Sequence, residues 1–83
     1  MANWIQEVVA LLLKLTRQNP QLAKEILWAI KQIEKNPTLT GTLILNTRYC
    51  YTDPKGRFRI SYNYQHPAHE IEIVVLNVNN ENL

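Results

Sequence analysis

The chain has 83 residues, of which 46% are hydrophobic and 19% are charged, and this composition predicts one folded domain over residues 1–83 and excludes a disordered chain. Nine basic and seven acidic side chains give a formal net charge of +2, which is lower than dedicated nucleic-acid-binding domains usually carry. Any nucleic-acid binding must therefore come from basic residues that cluster locally.

Two amphipathic helices are predicted in the first half of the chain. Asn3 begins a pattern like a capping box, and apolar residues recur at helical spacing through NWIQEVVALLLKLTRQ, which predicts a first helix at residues 3–17. Asn19 and Pro20 are typical of a helix N-terminus, and the apolar stripe of PQLAKEILWAIKQIEK predicts a second helix at residues 20–35. The first helix is apolar over more than half its circumference, so several neighbouring elements or a partner chain must cover it.

The hydrophobic period changes from helical to alternating after Pro37, which predicts a sheet. Its three strands are predicted near residues 42–52, 57–64 and 70–78. The turn sequences DPKG and QHPAH join consecutive strands, so the sheet is an antiparallel meander over residues 42–78. The fold class is α+β, with the helical hairpin of residues 3–35 packed on one face of the meander. A three-stranded sheet keeps an exposed edge, which, with the apolar first helix, predicts a homodimer or a tightly bound partner protein.

The DPKG turn decides which side chains share a face of the sheet. Asp-Pro-x-Gly favours a type I turn with a left-handed glycine, which makes a bulged hairpin and places Tyr49 and Tyr51 on the same face as Arg59. An unbulged four-residue loop shifts the pairing by one residue, moves both tyrosines into the core and adds Arg48 to the arginine face. We favour the bulged register. In either register Arg57 and Arg59 are predicted to lie away from the helices.

An arginine face with tyrosines predicts a platform for single-stranded RNA. Guanidinium groups bind phosphate in a bidentate manner, and tyrosine rings stack on unpaired bases. The candidate RNA-binding residues are Arg48, Tyr49, Tyr51 and Lys55. The alternative interpretation, which composition alone favours, is that the arginines are structural and pair across strands with Glu70 and Glu72.

The order of the elements, the Asn-Pro boundary, the loop NPTLTG and the strand GRFRISYNY resemble the RelE/ParE superfamily of toxins over roughly residues 10–78. The resemblance implies the fold of that superfamily, with the usual leading strand missing or very short, because Asn3 already resembles a helix cap. It also implies a cognate antitoxin protein as partner. A reduced, cytoplasmic setting is the default expectation for a chain with a single cysteine, Cys50.

The RelE type of this family enters the ribosomal A site and helps the ribose 2′-hydroxyl attack the adjacent mRNA phosphate. The resemblance therefore implies a type II toxin that is a ribosome-dependent endoribonuclease or an attenuated relative. Arg59 matches the central-strand arginine of the family, and Arg59 and Arg57 are the candidate catalytic residues. The ending LNVNNENL lacks the glycine and basic residue usual in the family, which favours the attenuated form. The alternatives are a gyrase-inhibiting ParE-type toxin and a non-catalytic protein–protein interaction module that uses the first helix and the sheet edge.

Other chemistry has weaker support in the sequence. His66 and His69 are three residues apart across a proline turn, a spacing that is compatible with zinc or acid–base chemistry but more typical of solvated turn histidines. Cys50 is the only cysteine, so an internal disulfide is excluded; a core or edge position beside Phe58 and Ile60 is expected for it. No metal or cofactor is predicted. The longest apolar run, VVALLL, is too short for a membrane span, and no membrane association is expected.

Overall fold

A computed structural model describes residues 2–66 and 68–79 of the chain. The helices are α1 (Gln6–Gln18), α2 (Pro20–Lys35) and the short α3 (Pro37–Thr40). The strands are β1 (Asn3–Trp4), β2 (Thr42–Leu45), β3 (Arg48–Thr52), β4 (Phe58–Gln65) and β5 (Glu70–Val78). They form one sheet in the order β1-β5-β4-β3-β2, in which β1 is parallel to β5 and the other neighbours are antiparallel.

The α+β class and the helices-then-strands order are confirmed, but the prediction of three antiparallel strands is wrong, because the sheet has five strands and is mixed. The segment predicted as one strand at residues 42–52 is divided into β2 and β3. Asn46, between them, has a φ of 54°, a left-handed conformation that asparagine tolerates better than most residues. The chain therefore turns at Asn46. The turn was not predicted, because most residues of TLILNTRYCYT are typical of a strand.

Asn3 and Trp4 form a strand and not the first turn of a helix. Asn3 and Trp4 pair with Glu72 and Ile73, and the backbone N–H of Ile5 donates to the carbonyl of Ile73 at 3.2 Å. Helix α1 then begins without a side-chain cap, so the capping box predicted at Asn3 is wrong. Pairing with β5 gives hydrogen-bond partners to backbone N–H groups that would have none in the first turn of a helix, and this favours the strand.

Helix α2 has the predicted bounds. The side chain of Asn19 accepts a hydrogen bond from the N–H of Leu22 at 3.3 Å, and Pro20 occupies the first turn. The core lies between the helices and one face of the sheet. Its buried apolar side chains in the secondary structure are Val8, Leu12, Leu15, Leu22, Ala23, Ile26, Ala29, Ile30, Ile33, Phe58, Ile60, Tyr62, Ile71, Ile73 and Leu76. On α1, Leu13 is 61% exposed, so part of the apolar circumference expected to need a cover is open to solvent.

Tyr62 joins β4 to helix α3. Its ring is fully buried and stacks on Tyr49 with ring centroids 5.5 Å apart, and its hydroxyl donates a hydrogen bond to the carbonyl of Pro37. Burial raises the pKa of Tyr62 to about 12. Gly41 lies directly against this ring, where a Cβ would be 2.9 Å from two ring carbons and would overlap the hydroxyl oxygen.

Among residues 2–66 and 68–79, no helix has the length and apolar character needed to cross a membrane.

Candidate nucleic-acid interface

The face of the sheet opposite the helices, called the open face below, is polar and follows a regular grid. Phe58, Ile60 and Tyr62 point into the core, so the alternate residues of β4 lie on the open face. The cross-strand register places them in three rows: Thr52–Arg59–Asn77, Cys50–Ser61–Val75 and Arg48–Asn63–Glu72. The pair Gln65–Glu70 continues the face beyond the third row.

Arg59 is exposed, and it has no ion pair or hydrogen bond within the described part of the chain. Its neighbours across the strands are Thr52 and Asn77, both uncharged, so the pairing with Glu72 considered above does not occur. A guanidinium group remains charged at any physiological pH and presents several donors in one plane. Arg59 is therefore free to bind an external anion.

Arg48 is the second arginine of the open face. Its Nε donates to Oδ1 of Asn63 at 2.8 Å, which fixes the direction of the side chain, and the residue is exposed. The rows of Arg48 and Arg59 are four residues apart along β4, or roughly 13 Å. Two cations at this spacing suit an extended polyanion better than a single small anion.

Arg57 does not lie on the open face, and the prediction that it lies away from the helices is wrong. Its Nε donates to Asp53 at 2.8 Å, and its terminal nitrogens form a bidentate pair with Glu25 of α2 at 2.7 and 2.8 Å. The hydrogen bonds from Arg57 lower the pKa of Glu25 and Asp53, and the two carboxylates raise the pKa of Arg57. Arg57 thus joins the turn of the hairpin to the helical layer.

This ion-pair cluster explains the register of the hairpin. Asp53 is buried, and its carboxylate also accepts a hydrogen bond from the backbone N–H of Arg57 at 3.0 Å. The ladder closes at Asp53, whose N–H donates to the carbonyl of Phe58 at 3.0 Å, and Gly56 has the left-handed φ of 71° that the turn requires. The loop is therefore the unbulged four-residue form, and the favoured bulged register is wrong.

Because of this register, the tyrosines lie on the core side. Tyr49 pairs with Tyr62, and Tyr51 pairs with Ile60 and packs its ring 6.2 Å from that of Phe58. Both tyrosines are partly buried against the core, so neither can stack on a base held beside Arg59. Cys50 was expected on the core side beside Phe58 and Ile60, but it lies on the open face opposite Ser61.

The remaining candidates lie outside the grid. Lys55 is exposed in the hairpin turn, where its charge helps to lower the pKa of Glu25. His66 and His69 are exposed in the turn after β4, and the ring of Tyr64 lies 6.2 Å from that of His66 and 5.6 Å from that of His69. The described residues contain no group of three or more histidine, cysteine or acidic side chains placed to hold a metal ion.

Sequence reasoning missed the neutral members of the open face. Ser61 and Asn63 follow Arg59 at intervals of two, so the strict alternation of RFRISYNY was enough to place them there. Asn77 could not be placed in this way, because β5 has a bulge opposite Ser61 and Tyr62 that changes the alternation. Comparison of the chain with models of known protein families and with curated proteins gave no match.

Proposed function

We propose that this chain is a RelE/ParE-like toxin-family protein, an attenuated relative of the ribosome-dependent mRNA endoribonucleases, that binds single-stranded RNA through the open face. The observation that carries the proposal is the exposed guanidinium of Arg59, unpaired within the described residues and flanked by neutral side chains. The resemblance gains support from β1, because the family has a leading strand and this chain has a short leading strand of two residues.

The chemistry of the open face favours binding over cleavage. Attack of a ribose 2′-hydroxyl on the next phosphate needs a group that accepts a proton and a cation that stabilises the charge on the phosphate. Arg59 can supply the second function. The carboxylates of the face, Glu70 and Glu72, lie toward the other end of β4, about 13 Å or more from the row of Arg59. A base and the arginine are therefore not adjacent, which is the reason for proposing an attenuated enzyme.

Binding is tested by fluorescence anisotropy with a labelled single-stranded RNA oligonucleotide at several salt concentrations. If Arg59 contacts a phosphate, Arg59→Ala lowers the affinity and reduces the slope of log affinity against log salt by roughly 0.7. Arg17→Ala is the matched control, because Arg17 is an exposed arginine in the last turn of α1, away from the sheet. An equal effect of the two substitutions would show that only net charge matters and would overturn the proposal.

Cleavage is tested separately from binding. Induction of the wild-type chain in cells is followed by growth and by mapping mRNA ends, and cuts at codon spacing would identify an active ribosome-dependent endoribonuclease. We expect RNA binding without strong codon-spaced cleavage. Strong cleavage that Arg59→Ala abolishes would keep the open face as the site and would refute the attenuation.

The exposed apolar edge of the sheet favours a second candidate function, a non-catalytic interaction module. Leu43, Ile44 and Leu45 of β2 are 53%, 62% and 68% exposed. The two functions are distinguished by substitutions on different surfaces: an RNA-directed effect in cells depends on Arg59, whereas an effect exerted through a partner protein depends on Ile44 and is insensitive to Arg59→Ala.

A further inference from the structure

Strand β2 is an unprotected edge. It pairs with β3 on one side, and its other side has no neighbour among the described residues. Exposed edge strands normally carry a charged residue or a proline that prevents pairing with another chain. Thr42–Leu45 carries neither, and Leu39, just before it in α3, is 83% exposed. The bulge between Leu43 and Leu45 twists the strand but leaves its apolar side chains in solvent.

The charge distribution indicates which partner fits this edge. The twelve residues NPTLTGTLILNT, at positions 36–47, contain no charged side chain, although Lys35 and Arg48 stand on either side. In an interface with two-fold symmetry, residues near the axis face their own copies, so a charge there would face itself. A neutral segment avoids this repulsion. An acidic partner would instead be matched by basic residues on the edge, and β2 has none.

From these observations we infer that β2 is the interface between two copies of this chain, which pair edge to edge and antiparallel in one continuous sheet. A two-fold axis perpendicular to the sheet produces this pairing and keeps both open faces on the same side. Leu43 lies on the same face of the sheet as Tyr49, and Leu45 lies on the same face as Arg48. Both faces of the dimer interface therefore gain apolar contacts. The arginines of both copies then lie on the same side of one continuous sheet.

The size of the interface predicts a weak dimer. Complete burial of the four exposed aliphatic side chains of each copy would cover at most roughly 1,000 Å² in total, at the low end of specific interfaces. Interfaces of this size are typically weak, so a dissociation constant on the order of micromolar or higher is expected. The dimer should therefore form and dissociate within the range that sedimentation experiments cover.

The test is sedimentation velocity of the full chain from about 1 to about 500 µM, a range that brackets such a dissociation constant. The wild type is expected to shift from monomer to dimer, and Ile44→Lys is expected to remain monomeric. Leu13→Lys is the matched control, because Leu13 is 61% exposed on α1 and its substitution tests whether that helix is the interface. A wild type that stays monomeric at the highest concentration overturns the inference, as does a dimer that Leu13→Lys dissociates.

Amide hydrogen exchange of the wild type at the two ends of this range gives a measurement that needs no variant. The amides of Thr42–Leu45 are expected to exchange at least tenfold more slowly at the higher concentration, while those of Asn3 and Trp4 at the opposite edge are unchanged. Protection at β1, or no concentration dependence at β2, would show that β2 is not the interface.

Discussion

The contact between Gly41 and Tyr62 allows a quantitative prediction. Gly41 has φ −105° and ψ 175°, which any residue can adopt, so its backbone does not require glycine. Reduced unfolded-state entropy alone would make Gly41→Ala stabilising by about 0.4–1 kcal/mol. The structure predicts the opposite, because the new methyl group would overlap the hydroxyl of a ring that is held by Tyr49 and Pro37.

Overpacking of this kind costs about 1–3 kcal/mol, and displacement of the hydroxyl adds about 0.5–1.5 kcal/mol for the hydrogen bond to Pro37. After the entropy gain, these contributions span about 0.5–4 kcal/mol, and Gly41→Ala is expected to lower the free energy of unfolding by about 2 kcal/mol. In a domain of this size, a loss of about 2 kcal/mol lowers Tm by roughly 8–16 °C. Thermal unfolding followed by circular dichroism, with urea titration for the free energy, measures both values.

The decisive measurement is a double-mutant cycle with Tyr62→Phe, which removes the overlapping oxygen but leaves the ring carbons at 2.9 Å. We expect the double variant to be about 1 kcal/mol more stable than the sum of the single effects. Gly56→Ala is the control: its Cβ would meet no atom within 4 Å, so it destabilises only through the φ of 71° and should add independently to Tyr62→Phe. A neutral Gly41→Ala, or strict additivity with Tyr62→Phe, would refute this account of the packing.

Three further predictions concern titration and the core. The folded state raises the pKa of Tyr62 to about 12, so the contribution of the neutral Tyr62 side chain to stability is complete below pH 10 and is lost as the pH rises through about 12. In an ultraviolet titration of tyrosine ionisation, the step at the highest pH should be absent from Tyr62→Phe. The lowered pKa values of Glu25 and Asp53 stabilise the fold above their ordinary values of 4.5 and 3.8, so the stability difference between wild type and Arg57→Met should be largest near pH 7 and should shrink as the pH falls below those values; equal differences at pH 3 and pH 7 would contradict this. Ile73→Ala should cost about 2–5 kcal/mol in urea unfolding, because Ile73 is fully buried in the interior strand β5, and a loss below 1 kcal/mol would contradict its place in the core.

The parts of the fold that were predicted correctly depend on local signals. Helix α2 has an Asn-Pro start and a regular apolar stripe, so its bounds follow from the sequence. Strand β1 has only two residues, and its partner in β5 lies about seventy positions along the chain. No local pattern identifies such a strand, because it is stabilised entirely by long-range pairing.

The candidate site divides in the same way. Arg59 was placed on the open face by the alternation of β4, which either hairpin register preserves. Arg57 was misplaced because its position depends on Glu25, which is 32 residues away on α2. The tyrosines were misplaced because a shift of one residue in the hairpin exchanges the two faces of β3. The partly buried ion pair between Asp53 and Arg57, which accompanies the observed register, could not be read from the turn sequence.

The position of β5 between β1 and β4 has a consequence for synthesis of the protein. Strand β5 follows the other described strands in the sequence, joins β1 to the rest of the sheet and packs against α1. The helices and the β3–β4 hairpin can form early from local contacts, but the apolar face that β5 covers stays exposed until residues 70–78 emerge. Completion of the core therefore waits until β5 has been synthesised, and a nascent chain stalled before β5 presents both the apolar face of α1 and two unpaired strand edges to chaperones and proteases.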